Sequence, residues 1–201
     1  MTQHLRLPGP RSLVGAAALL AALALPATTL AASFEGTPGP DHLVGTADAD
    51  TIVGLAGNDV LEGLGGNDDI DGGADNDWIY GGFGNDRILG GDGRDRIRGG
   101  PGADTIGGGA GADKISGGDG FDTIRGGPGP DLLLGGDGND VIGGGAGRDL
   151  VYGGAGNDVI NVGGDSTPDA VHCGPGWDVA YVGRFDIADR SSERVVRTLE
   201  P

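Results

Sequence analysis

One cysteine, Cys173, is all that 201 residues contain, so the chain has no internal disulfide. No apolar run is long enough to cross a bilayer comfortably. The longest, Leu13 to Leu25, is about 13 residues and ends at Pro26. Positive charge is scarce: 13 Lys and Arg stand against 30 Asp and Glu, a formal net charge of −17. Such a chain repels nucleic-acid phosphates and attracts cations. Neither HExxH nor GxSxG occurs, and the repeats described below leave no room for a catalytic domain ahead of them, so no enzyme is expected. What is abundant is glycine. With 46 Gly and 11 Pro the chain would read as disordered low-complexity sequence if it had no period.

The first 32 residues read as a secretory signal peptide. Arg6 and Arg11 give a basic start, Leu13 to Leu25 an apolar middle, and small residues after Pro26 a cleavage point following Ala31 or Ala32. Losing Arg6 and Arg11 takes the net charge from −17 to −19. The expected product is secreted, extracellular, and without a transmembrane segment.

From Gly36 to Asn161 the chain divides into 14 consecutive nonamers, for example Gly81-Gly82-Phe83-Gly84-Asn85-Asp86-Arg87-Ile88-Leu89. Position one is Gly, position six Asp and position eight Leu, Ile or Val in all 14. Position four is Gly except at Asp48 and Asp75. Position two is Gly except in the first four copies, which hold Thr37, Thr46, Leu55 and Leu64. Two degenerate copies follow over residues 162–181, keeping Asp169 and Asp178.

Each position has a physical reading. The Gly-rich six residues ending in Asp form a turn. Positions seven to nine form a three-residue strand with one apolar side chain inside. Two nonamers, 18 residues, make one coil, and repeat n stacks on repeat n+2. Stacking then draws the position-six Asp residues into two rows, about 5 Å apart along each. Unit charges at that spacing repel by roughly 1–3 kcal/mol, which a divalent cation between turns reverses. Asp is a hard oxygen donor suited to calcium. One buried aliphatic per glycine-rich nonamer makes a thin core, so a chain largely unfolded without metal is expected. Ordinary turn-forming would produce a mixture of Asp, Asn and Ser at position six. Position six is never Asn, although position five often is.

The pattern GGxGxDxUx, in unbroken register, resembles the RTX calcium-binding repeat of haemolysin-type proteins. The resemblance implies an all-β fold, a right-handed parallel β-roll, with multiple Ca2+ ions between turns. It implies as ligands Asp41, Asp50, Asp59, Asp68, Asp77, Asp86, Asp95, Asp104, Asp113, Asp122, Asp131, Asp140, Asp149 and Asp158, joined by turn carbonyls. Asp169 and Asp178 are weaker candidates. Asp48 and Asp75, in place of glycine, either add ligands or spoil their turns.

Residues 182–201 leave the repeat and are expected to cap the open end. Where similar proteins carry a second Cys, this chain has Ser192. The expected function is that of a secreted calcium-binding structural or binding module. The alternative is an extracellular, adhesin-like module that binds a glycan or a cell-surface partner. Its surface would be Trp78 and Tyr80, which the stacking places beside Arg96 and Arg98. Cation–π packing between neighbouring strands is the simpler account of that cluster.

Overall fold

The computed structural model describes residues 31–189 and 194–197. The expected signal peptide, apart from its last two residues, and Ser192 lie outside them. Among the described residues there is no helix, hence none long and apolar enough to cross a membrane. The strands in chain order are β1 (Ser33–Glu35), β2 (His42–Val44), β3 (Thr51–Ala56), β4 (Val60–Gly65), β5 (Asp69–Ala74), β6 (Trp78–Phe83), β7 (Arg87–Asp92) and β8 (Arg96–Pro101). Next come β9 (Thr105–Ala110), β10 (Lys114–Asp119), β11 (Thr123–Pro128), β12 (Leu132–Asp137), β13 (Val141–Ala146) and β14 (Leu150–Ala155). Last are β15 (Val159–Asn161), β16 (Ala170–His172), β17 (Val179–Val182), β18 (Ile187–Ala188) and β19 (Arg194–Arg197).

Odd-numbered strands form one ten-stranded sheet and even-numbered strands a nine-stranded one. All pairs are parallel. The register is the two-repeat period: Thr51 lies beside Asp69 and Trp78 beside Arg96. The fold is a parallel β-solenoid of about nine turns, the β-roll that two nonamers per coil require.

The position-eight residues fill the space between the sheets. Ile52 to Ile160, taken every nine residues, are at most 3% exposed. The position-one glycine lets them meet, because a Cβ on Gly72 would stand 3.0 Å from Ile79 Cδ1 of the facing sheet. Beyond the regular repeats Val162, Val171, Cys173, Ala180 and Val182 continue the same core.

Two features differ from the sequence reading. Most strands are six residues long, because the ladder runs on through positions one to three. Gly118 pairs with Gly136 and Asp119 with Asp137. The turn proper is only positions four to six, and the bend within the strand falls on the position-two glycine, at φ 112 in Gly82. Leu55 and Leu64 hold the same bend at φ 80 and 73, and Asp75 keeps the position-four turn at φ 77. The substitution at Asp75 therefore does not break its turn. The tail contributes strands as well: β18 pairs with β16 and β19 with β17, carrying each ladder one rung further.

Candidate metal centre

The strand that follows each position-six Asp fixes its place. Its carbonyl accepts a hydrogen bond from the backbone of the next coil, as Asp86 O does from Thr105 N–H at 2.8 Å. Its side chain leans the other way, and Asp86 Oδ1 accepts from Asp68 N–H of the preceding coil at 2.9 Å. The bond recurs from coil to coil, for instance Asp86 N–H to Asp104 Oδ1 at 2.9 Å and Asp104 N–H to Asp122 Oδ1 at 2.8 Å. Two continuous rows result. One runs Asp41, Asp59, Asp77, Asp95, Asp113, Asp131, Asp149; the other runs Asp50, Asp68, Asp86, Asp104, Asp122, Asp140, Asp158. All 14 sequence-predicted residues are thus brought together, and from Asp50 onward each is at most 3% exposed.

Oδ1 is satisfied; Oδ2 is not. In Asp59, Asp68, Asp77, Asp86, Asp95, Asp104, Asp113, Asp122, Asp131, Asp140, Asp149 and Asp158 it is buried without a hydrogen-bond partner. Asp169 and Asp178 have the same orphaned oxygen. A buried carboxylate oxygen with no donor is costly. In the regular repeats from Asp59 to Asp158 each Oδ2 lies against the position-one glycine of its own nonamer, where, except at Gly144, a carbonyl of the next coil also arrives. A Cβ on Gly108 would meet Asp113 Oδ2 at 2.5 Å and Gly126 O at 2.6 Å. A carboxylate oxygen and a carbonyl oxygen therefore converge at most such positions, and from Asp59 onward the carboxylate oxygen meets no donor.

The electrostatics agree with that geometry. Burial lifts Asp77 to about 7 against a hydrogen bond from Asp59 N–H, and the charges of Asp95, Asp59 and Asp75 add to the rise. Asp104 and Asp131 are lifted to about 7 in the same way, by burial and by their row neighbours. Asp68, Asp95, Asp140 and Asp158 are raised to about 6. Each row holds carboxyls that resist ionising beside one another.

The N-terminal end differs. Asp41 Oδ2 accepts from Thr37 N–H at 2.6 Å and from the Thr37 hydroxyl at 3.0 Å. Asp50 Oδ2 accepts the same pair from Thr46, at 2.6 and 2.9 Å, and its Oδ1 accepts from Ala32 N–H at 2.9 Å. Burial pushes Asp50 up, but hydrogen bonds from Ala32 N–H, Thr46 N–H and the Thr46 hydroxyl outweigh it and hold the carboxyl below its usual value. Threonine at position two supplies the donors that the later coils lack.

Sequence reading missed Asp186. Its Oδ1 accepts from Asp169 N–H at 3.1 Å and its Oδ2 from Gly183 N–H at 2.5 Å, so it takes the next place in the first row. The signal was faint: Asp186-Ile187-Ala188 keeps the acid and one small apolar residue, but the glycine spacing is gone. The role of position-five Asn was also missed. Asn58 Oδ1 accepts from Asn76 N–H at 2.9 Å and Asn76 Oδ1 from Arg94 N–H at 2.9 Å, a second ladder along the outside of the turns.

The donor set suits calcium. It consists of hard oxygens, half of them anionic, and the oxygens left over are buried acceptors. Among the described residues no three His, Cys, Asp or Glu side chains surround one point. A cation held here would take one or two carboxylates and complete its shell from carbonyls and water. A model of the RTX calcium-binding nonapeptide repeat, four copies long, matches the chain at residues 35–70, 62–97, 80–115, 89–124, 116–151 and 144–166, well over half its length. A search of curated proteins finds no match.

Proposed function

The chain belongs to the RTX calcium-binding nonapeptide repeat family, and from that premise we propose that it is a secreted, non-catalytic module that folds into its β-roll as it binds several Ca2+ ions. The observation that carries this reading is the double row of buried carboxylates with orphaned Oδ2 atoms. The ligands are the Asp residues from Asp59 to Asp158 in the two rows, extended by Asp169 and Asp178. Asp41 and Asp50 stand in the rows but are already closed by Thr37 and Thr46. Calcium supplies positive charge that makes neighbouring carboxylates compatible and gives acceptor oxygens a partner. The chain's own part is to hold those oxygens in register, through the Asp N–H to Oδ1 bonds and the position-one glycines.

Secretion is supported by the composition of residues 1–32 and by the ladder taking up the chain at Ala32, where cleavage is expected. An extracellular setting would give a weak calcium site enough free ion to fill. A second reading, binding of an extracellular partner, is favoured by the exposure of Trp78 and Tyr80 beside Arg96 and Arg98.

The test is far-UV circular dichroism of metal-stripped protein during calcium addition, with magnesium in parallel. A cooperative gain of β signal with calcium alone is expected. A stripped protein already folded and indifferent to calcium would reduce the Asp rows to turn formers.

A further inference from the structure

The middle of the outward face of the nine-stranded sheet gathers cations and aromatic residues. From β6 to β14 its position-seven and position-nine residues are Trp78, Tyr80, Arg96, Arg98, Lys114, Ser116, Leu132, Leu134, Leu150 and Tyr152. Three cations and no carboxylate stand there, on a chain of net charge −17. On the opposite sheet the same outward positions carry Asp69 and Asp71 on β5 and, from β7 to β15, two separated cations, Arg87 and Arg125, of which Arg87 pairs with Asp69. Among the described residues none of Arg96, Arg98 and Lys114 forms an ion pair; the pairs present are His42–Glu62, Arg87–Asp69 and His172–Asp189.

Register sets these side chains in a grid. Trp78, Arg96 and Lys114 form one line across three strands, and Tyr80, Arg98 and Ser116 form the next. At sheet spacing each line is about 10 Å long. Arg96 lies 5.0 Å over the Trp78 ring, which fixes its direction and leaves Arg98 and Lys114 unengaged. Two hollows share Tyr80 and Arg98. One, of about 250 Å³, is bounded by Arg96, Lys114 and Ser116; the other, of about 230 Å³, by Phe83, Leu64 and Pro101. Glu62 borders the second hollow, but His42 holds its carboxylate at 2.9 Å.

We propose that this grid binds an anionic oligosaccharide, with sugar rings against Tyr80 and Phe83 and their carboxylate or sulfate groups on Arg98 and Lys114. This deepens the partner-binding reading and is independent of which Asp residues hold calcium. Aromatic faces beside fixed cations suit a ligand with both an apolar ring face and a charge. An acidic peptide would gain most by adding a strand at a sheet edge, whereas this grid lies mid-face, where no backbone group is open. Each bound calcium adds two positive charges, so loading lowers the general repulsion of an anionic ligand, which salt screens further.

The experiment is titration calorimetry on the calcium-loaded protein with four probes: a hyaluronan tetrasaccharide (carboxylate only), a dextran sulfate oligomer, neutral dextran and poly-glutamate. Binding of either anionic sugar, but not of dextran, is expected, and whichever binds identifies the anion. The pair Arg98→Gln and Lys114→Gln should weaken it at least about tenfold, and Tyr80→Ala should weaken it severalfold. Circular dichroism in calcium, run on each variant, separates a lost surface from a lost fold. Equal binding of dextran, preferred binding of poly-glutamate, unchanged binding by the double variant, or no binding of either anionic sugar would overturn the proposal.

Discussion

At the scale of single residues, two aspartates at the same repeat position have opposite circumstances. Asp104 keeps one oxygen on Asp86 N–H and leaves the other buried and partnerless. Asp50 has both oxygens engaged. Asp104→Asn should therefore stabilise the calcium-free protein by about 1–3 kcal/mol, since it replaces an orphaned charge with a neutral amide. The same change should lower the number of ions bound in calcium. Asp50→Asn should cost about 1–2 kcal/mol with or without calcium and leave the ion count unchanged, because its one remaining oxygen can accept from Ala32 N–H or from Thr46 but not from both. Folding of the stripped variants driven by a stabilising osmolyte, denaturation in calcium, and ion counting by equilibrium dialysis check both. Equal loss of ions in the two variants would show that Thr46 does not stand in for metal. The identity of the acid row was legible in the sequence from position six alone. That its first two members are closed by threonine was not, because Thr37 and Thr46 read only as departures from glycine.

At the scale of the strand, the repeat's glycines serve different ends. Position two bends, and leucine can take its place at some strain, as Leu55 and Leu64 do. Position one cannot take a side chain. A Cβ on Gly108 would press on Asp113 Oδ2, Gly126 O and, at 3.1 Å, Ile115 Cδ1. Gly108→Ala is expected to destabilise the loaded protein by about 2 kcal/mol or more and to raise the calcium midpoint. Gly143→Ala at position nine, whose nearest neighbours would be 3.9 Å away, should change neither. Thermal melts of the two variants in calcium make the comparison; similar losses in both would mean that glycine matters here only through backbone entropy. The strand boundaries were misjudged from sequence because glycine marks turns in most chains. Here it is extended in part, so that neighbouring coils can approach and pair.

At the scale of the molecule, charge and pH decide. Asp77, Asp104, Asp131 and Asp169 stand near 7 in the folded state and Asp68, Asp95, Asp140 and Asp158 near 6, against about 3.9 for an unfolded Asp. Raised carboxyls bind protons more tightly when folded. Their contribution to stability is therefore complete below about pH 4 and is lost as pH rises through 6 and 7. The calcium-free protein should be more stable at pH 5 than at pH 8. Calcium dependence has the opposite sign, because protons compete for the same oxygens, and the calcium midpoint should rise as pH falls from 8 to 6. Osmolyte-driven folding in chelator and calcium titration across that range would show it; a chelated protein that folds more readily at pH 8 would contradict the buried rows.

The sequence by itself determined the period, and the period determined the coil: Gly at one, Asp at six and an aliphatic at eight leave one way to bury the apolar residue and turn the chain every nine residues. Tertiary structure decided what happens between coils. Only the stack reveals that Oδ1 is held by the preceding Asp N–H while Oδ2 is abandoned. Only the stack recruits Asp186 across a broken repeat and shows, among the described residues, no ionic partner for Arg98 or Lys114. Those outcomes depend on residues 15 to 20 apart in sequence meeting at strand spacing, a distance set by backbone pairing and invisible in any one nonamer.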